Sequence, residues 1–235
     1  MFQGDHPELH RAVGHASALA RRLGHRRVGS EHLLLALGAA GGAVSAVLSR
    51  LGATGAAVEE AVCQAGPLGA GAAADRDTLA PLGIDADRLL SRLGPAGLDR
   101  PTAAEPRLPF GAARARRRCA RMNPPLGLDA QAAYEASLRL ALARRDREHR
   151  PEHLALTLVA LDPGAGWVLR AAGVDPVALL AELASAFPPP RRNPLLRAER
   201  WIGRRSRHQD LVRRYQRTTG RAVTSDGAVA ALIAG

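Results

Sequence analysis

The sequence predicts an all-α fold, built from two pseudo-symmetric four-helix repeats and a basic helical C-terminal extension. Three observations carry this. The chain repeats itself: residues 19–53 lie over 140–174 at a constant offset of 121 with no gap, so that Glu31-His32-Leu33 falls on Glu152-His153-Leu154, Val47-Leu48 on Val168-Leu169 and Gly52 on Gly173. A fixed offset marks one supersecondary unit used twice. Apolar residues recur at helical spacing, and strand signals are absent throughout. Finally, 46% of residues are hydrophobic but only 3% aromatic, so the core must be built from Leu, Val and Ala. At 235 residues the chain is long enough to bury one.

The elements follow in order. Pro7-Glu8 opens the first helix, with proline near N1 and an acid in the first turn. Leu9, Val13, Ala16, Leu19 and Leu23 keep the helical period, and Gly24 ends it. Ser30 is the predicted N-cap of the second helix, with Glu31 at its positive end and Leu33, Leu34 and Leu37 on its buried face. Ala43 to Arg50 makes a third helix, closed by Gly52 at C′. Thr54 caps a fourth, carrying Val58 and Val62. Residues 1–64 form the first repeat. Residues 65–109 read as a linker with a short helix: Gly/Ala-rich over 65–76, a helix from Asp85 to Leu93, then an extended stretch with Pro95, Pro101, Pro106 and Pro109.

Residues 110–187 form the second repeat, with an insertion. Phe2 precedes Glu31 by 29 residues, whereas Phe110 precedes Glu152 by 42, and the surplus of 13 maps near 117–129. Asp129 then caps a helix carrying Tyr134, Leu138, Leu140 and Leu142. Pro151 opens the next helix and Asp162-Pro163 breaks it. Gly173 closes the one after, and Asp175-Pro176 starts a last repeat helix to Phe187. In the extension, 188–235, Leu195-Leu196, Trp201-Ile202, Leu211-Val212 and Tyr215 are spaced for basic amphipathic helices.

The net charge of +11 is unevenly placed. Every cation is Arg, since the chain has no Lys. The extension holds eleven Arg against Glu199, Asp210 and Asp226, a net of +8, which leaves +3 for residues 1–187. Such a patch suits nucleic acid, an anionic membrane or an acidic protein. Arg204, Arg205, Arg207, Arg213 and Arg214 are the candidate anion or nucleic-acid contacts, with Trp201 and Tyr215 available for stacking. The competing reading is a solvated basic helix docked on the repeats. Cys63 and Cys119 give neither a disulfide framework nor metal spacing. The N-terminus MFQGDHPE has no apolar run, and no stretch approaches the roughly 20 apolar residues of a membrane span. The expectation is a cytoplasmic protein.

Motifs for catalysis are few. His149-Arg150-Pro151-Glu152-His153 fits the zinc-binding pattern H-x-x-E-H, which needs both histidines on one continuous helix. Pro151 belongs in a first turn, which puts His149 outside the helix. A metal-dependent hydrolase at His149/His153 therefore ranks last. His6, His10, His15, His25 and His32 show no tight pair with a third ligand. Without Lys there is no P-loop, and no G-x-S-x-G is present. No enzyme, metal or cofactor is expected.

Leu23-Gly24-His25 and Ser30-Glu31-His32-Leu33-Leu34-Leu35-Ala36-Leu37 resemble the "LGH…GTEHLLLGLL" signature of the Clp N-terminal (Clp repeat) domain family. Val44, Val47-Leu48 and Leu51-Gly52 resemble its "VAxxVLxxLG" helix. Leu79 to Leu90 looks like segments between the repeats of actinobacterial stand-alone relatives. The likeness spans about residues 2–187 and is eroded in the second repeat, where Arg150-Pro151 replaces Gly29-Ser30. It implies a module without its AAA+ ATPase, binding peptides or degrons as an adaptor, decoy or regulator of Clp-type proteolysis. The implied partners are Clp ATPase or protease components, or arginine-phosphorylated substrates. By the same likeness it could sequester cyclic-peptide antibiotics. Ser30, Glu31 and Glu152 would form the phosphoarginine-type sites, each carboxylate meeting a guanidinium through a bidentate fork while helix N-terminal N–H groups hold the phosphate. Helix capping is the plain alternative for both glutamates and is the favoured one at Glu152. The competing function is a nucleic-acid-associated protein working through the extension.

Overall fold

The computed structural model describes residues 2–93, 119, 121–189, 208–224 and 232. The fold is all-α, as predicted. The first repeat contains α1 (Pro7–Arg22), α2 (Ser30–Ala39), α3 (Gly42–Arg50) and α4 (Gly55–Ala65); α5 (Ala70–Leu79) and α6 (Ala86–Leu93) follow. The second repeat contains α7 (Leu128–Arg144), α8 (Pro151–Leu161), α9 (Pro163–Ala171) and α10 (Pro176–Ala186), and α11 (His208–Thr219) belongs to the extension.

The offset of 121 holds helix by helix: Pro7 falls on Leu128, Gly55 on Pro176 and Ala65 on Ala186. It reaches back to Gly4 and Pro125, so residues 125–129 belong to the repeat itself and the surplus counted from Phe110 falls ahead of them. Phe110 lies outside the described residues.

The repeats clasp each other reciprocally. His6 N–H donates to the His149 carbonyl at 2.8 Å, and His149 N–H donates to the Gly4 carbonyl at 2.9 Å. In the image of this exchange, Gly127 N–H donates to the Val28 carbonyl and Val28 N–H to the Pro125 carbonyl, both at 2.9 Å. Each residue here is 121 away from its counterpart. Because each repeat gives what it receives, the relation between them is two-fold. The helix packing agrees: α1 meets α8 as α2 meets α7, and α4 meets α9 as α3 meets α10. Leucines of the two central helices, among them Leu33, Leu34, Leu154, Leu156 and Leu158, fill one continuous core. Each such side chain contributes about 1.5–3 kcal/mol of burial.

Several sequence expectations change in detail. The cap of α2 is Gly29, and Ser30 is already its first helical residue. The cap of α7 is Gly127, with Asp129 inside the first turn. Thr54 and Asp175 do cap α4 and α10 through their side chains. The Gly/Ala stretch 65–76 is no loose linker: Ala70 to Ala74 are buried in α5, which packs on α9. Alanine is the best helix former, and the small residues let the backbones approach. A Cβ on Gly164 would stand 2.8 Å from the Gly71 nitrogen.

The extension is docked. Leu211, Val212 and Tyr215 of α11 are buried against the repeats, chiefly on α7. After Gly220, which has φ +73°, residues 221–224 run back over the second repeat, where Thr224 N–H reaches the Leu161 carbonyl at 3.3 Å. Arg204, Arg205, Arg207 and Trp201 lie outside the described residues. Among the described residues, no single helix is long and apolar enough to cross a membrane.

Candidate functional site

The first turn of α2 faces the first turn of α7 across the joint between the repeats. A cavity of about 680 Å³ opens there, bounded by the loop before α2, the start of α5, the start of α7 and the strap after α11. Glu31, Asp75, Asp129 and Arg221 line it.

Glu31 is only 2% exposed, and its Oε2 has no hydrogen-bond partner. Glycine makes room for it. A Cβ at Gly29 would lie 2.3 Å from Oε1, and one at Gly69, whose φ is +85°, would lie 2.9 Å away. Burial works to raise this carboxyl, but the His32 ring and its own backbone N–H outweigh it and hold the group below the usual glutamate range. Asp129 bears the consequence: burial, then the Glu31 and Asp162 charges, push it up to about 6. Asp162 is also raised, chiefly by burial, although it accepts from the Tyr215 hydroxyl, from Ser30 Oγ at 2.7 Å and from the Ala165 N–H at 2.6 Å as the cap of α9. Three carboxylates thus crowd around Ser30, whose N–H and Oγ both lie 3.4 Å from Asp129 Oδ2.

Arg221 supplies a compensating charge. The Arg221 guanidinium grips Asp75 with Nη2–Oδ2 at 2.7 Å and Nε 3.0 Å from each oxygen. This bidentate contact, with the added pull of Asp129 and Asp162, holds its proton more firmly than usual despite burial.

His25, Glu31 and His32 each bring a ligand-type atom within 4.8 Å of the others. The ring contacts argue for a different role. His32 Nδ1 accepts the Gly29 N–H at 3.0 Å, as His153 Nδ1 accepts the Arg150 N–H at 3.0 Å. His32 Nδ1 also lies 3.1 Å from Glu31 Oε1. His153 Nε2 meets Asp146 Oδ2 at 2.7 Å. The counterpart of Asp146 is His25, whose Nδ1 and the His32 Nε2 are the two other unpartnered atoms here. The shared histidine is thus a device that caps a helix from its third residue.

The second equivalent site is built differently. Pro151 replaces Ser30, removing a backbone donor. Arg150 carries the Cβ that Gly29 lacks, so Glu152 cannot fold back as Glu31 does. Glu152 is half-buried. The position of Asp129 is taken by the exposed Glu8, and that of Asp162 by Gly41. His149 lies before α8, with Nδ1 2.8 Å from Asp5 Oδ1 and Nε2 2.8 Å from Ser137 Oγ. All four ring nitrogens of His149 and His153 are therefore engaged by protein groups. In the extension Arg213 is exposed, and Arg214 pairs with Glu135 at 3.4 Å.

Sequence reading found Ser30 and Glu31 but not the rest of this chamber. Asp75, Asp129, Asp162 and Arg221 come from four separate segments. One signal was available: Asp162 stands where the first repeat has Gly41, an acid gained at a position that its sister leaves bare.

Fold and site together define a helical repeat domain with a ligand-sized chamber at the joint of its repeats. Residues 6–94, which hold α1 to α6, match the family model of the Clp repeat (R) N-terminal domain, an all-α domain. No curated protein matches the chain.

Proposed function

We propose that this chain is a non-catalytic, cytoplasmic peptide- or degron-binding module that regulates Clp-type proteolysis as an adaptor or decoy. It takes an arginine-bearing segment, phosphorylated or not, in the chamber of Glu31. The observation that carries this reading is the Glu31 Oε2 atom, buried without a partner at the edge of a cavity of about 680 Å³. A buried, unpaired carboxylate oxygen is costly, and a guanidinium fork is the group that satisfies it with two parallel hydrogen bonds. Arg26 and Arg27 line the same cavity and suit a phosphate better than the first turn of α2, which Asp129 already faces. The nucleic-acid reading has less support: of the described arginines in the extension only Arg213 and Arg217 are exposed, while Arg214 and Arg221 face acids.

Calorimetric titration with a short peptide carrying one arginine, and with its phosphoarginine form, tests the reading. Glu31→Ala should weaken binding of the preferred form by about 1.5–3 kcal/mol, roughly ten- to a hundredfold. Glu152→Ala should cost less. Equal affinity for wild type and Glu31→Ala would overturn the assignment.

A further inference from the structure

We propose that Arg221 is a tethered occupant of the Glu31 chamber, so that the C-terminal strap holds the site in a self-occupied state and an arginine-bearing peptide enters only by exchange with it. This rests on the reading of the chamber as the ligand site and adds its regulation.

The extension divides into an anchor and a strap. The anchor, α11, is fixed by three buried side chains, Leu211, Val212 and Tyr215. The strap begins at Gly220, whose left-handed φ of +73° makes a sharp turn. Beyond it, Ala222 and Thr224 are exposed. Among the described residues, the strap's polar contacts are the Arg221–Asp75 pair, Arg221 N–H to Thr219 Oγ1 at 3.2 Å and Thr224 N–H to the Leu161 carbonyl at 3.3 Å. Val223 is half-buried against the core and Leu232 is buried beyond it, so the guanidinium is the strap's charged contact between apolar anchors.

That guanidinium is chemically what the chamber selects. The Arg221 fork pairs directly with Asp75 and is held further by the nearby Asp129 and Asp162 charges. Withdrawing Arg221 without a substitute would leave Asp75 without its partner and the buried Asp129 and Asp162 without a compensating charge. Departure of the strap is therefore coupled to arrival of another cation. The chamber wall is fitted to the tethered side chain: a Cβ on Gly71 would lie 2.4 Å from Arg221 Nη1, with the guanidinium supplying all three of its nearest neighbours.

Two variants of the full chain empty the chamber from opposite sides. Arg221→Ala removes the occupant. Gly71→Ala evicts it by bulk while favouring α5, and so retains the charge if Arg221→Ala proves poorly folded. If the strap occupies the site about nine-tenths of the time, the apparent affinity is reduced about tenfold. Both variants should then bind the single-arginine peptide about tenfold more tightly than wild type, and Glu31→Ala placed on either should remove the gain. A second measurement does not depend on affinity. The Arg221 Nε–H, identified by its loss in Arg221→Ala, should exchange slowly in the free protein and rapidly once peptide saturates it. Unchanged or weaker binding by both variants, or a protected Nε–H in the saturated wild type, would overturn the tether. Tighter binding that Glu31→Ala leaves intact would overturn the chamber as the ligand site, a distinct failure.

Discussion

The first turns of α2 and α8 share a backbone plan and oppose each other in chemistry. Both begin one residue after an extended cap, both place Glu then His at the same positions, and both histidines accept the cap N–H at 3.0 Å. Around α2, glycines at 29 and 69 let the carboxylate fold back into a closed acidic chamber. Around α8, Arg150 and Pro151 remove the space and one donor, and the equivalents of the chamber acids are the exposed Glu8 and the bare Gly41. A duplicated scaffold keeps its caps and its core because both copies need them to fold. Its ligand chemistry is free to persist in one copy and fade in the other.

The largest expected effect is on pH dependence. Asp129 has a folded-state pKa of about 6 against an ordinary 3.8, so the native state holds its proton more tightly than the unfolded chain. Its contribution to stability is complete below pH 4 and is lost as pH rises through 6, by about 3 kcal/mol at most. Urea unfolding from pH 4 to 7 should therefore show Asp129→Asn gaining on wild type by about 2–3 kcal/mol across that window. Parallel curves would mean that the chamber does not crowd its acids, and the contrast with the second site would lose its electrostatic basis.

A smaller loss is expected from Asp162→Ala. It strands the Tyr215 and Ser30 hydroxyls and uncaps α9, and should cost about 2 kcal/mol in the same assay. A loss below half a kilocalorie would show that α11 is held by its apolar contacts alone. The smallest effects sharpen the comparison most. At pH 7, Glu31→Gln should destabilise the protein by about 1 kcal/mol, because the fold favours the ionised form of this carboxyl, whereas Glu152→Gln should stay within about 0.5 kcal/mol. Stabilisation by Glu31→Gln would show that the crowding of Asp129 and Asp162 outweighs the hold of the His32 ring.

The fold was legible because periodicity and offset are local or repeated signals. Pro151, Asp162-Pro163 and Asp175-Pro176 mark helix boundaries within a residue or two, and Thr54 and Asp175 cap as their types suggest. Asp129 misled because an acid in a first turn looks the same in sequence whether it caps or faces another helix. Ala70 to Ala74 misled for the opposite reason: small residues mean looseness in a linker and close approach in a packed helix, and only the partner, α9, decides between them. The chamber was largely hidden because it is assembled across long separations. Arg221 meets Asp75 over 146 residues, and nothing in a basic tail announces that one of its charges is buried. The eleven arginines suggested a polyanion, whereas two of those described turn inward to acids of the same chain.

The exchange of backbone hydrogen bonds between Gly4–His6 and His149, and between Pro125–Gly127 and Val28, has a consequence for how such a chain comes into being. Neither half is a complete building block: each leaves at least two donors and two acceptors that its sister answers. The boundary at residue 94, where the family match stops, divides a sequence motif and not a packing unit, since one core and the reciprocal hydrogen bonds span both halves. A single ancestral half could meet the same demand by pairing with its own copy, since a clasp that is its own image closes equally well between two chains. On this view gene fusion changed the covalent link and left the architecture as it was. It also released the two halves from identity, which is the condition under which one of them could acquire an acid at 162 and the other keep a glycine at 41.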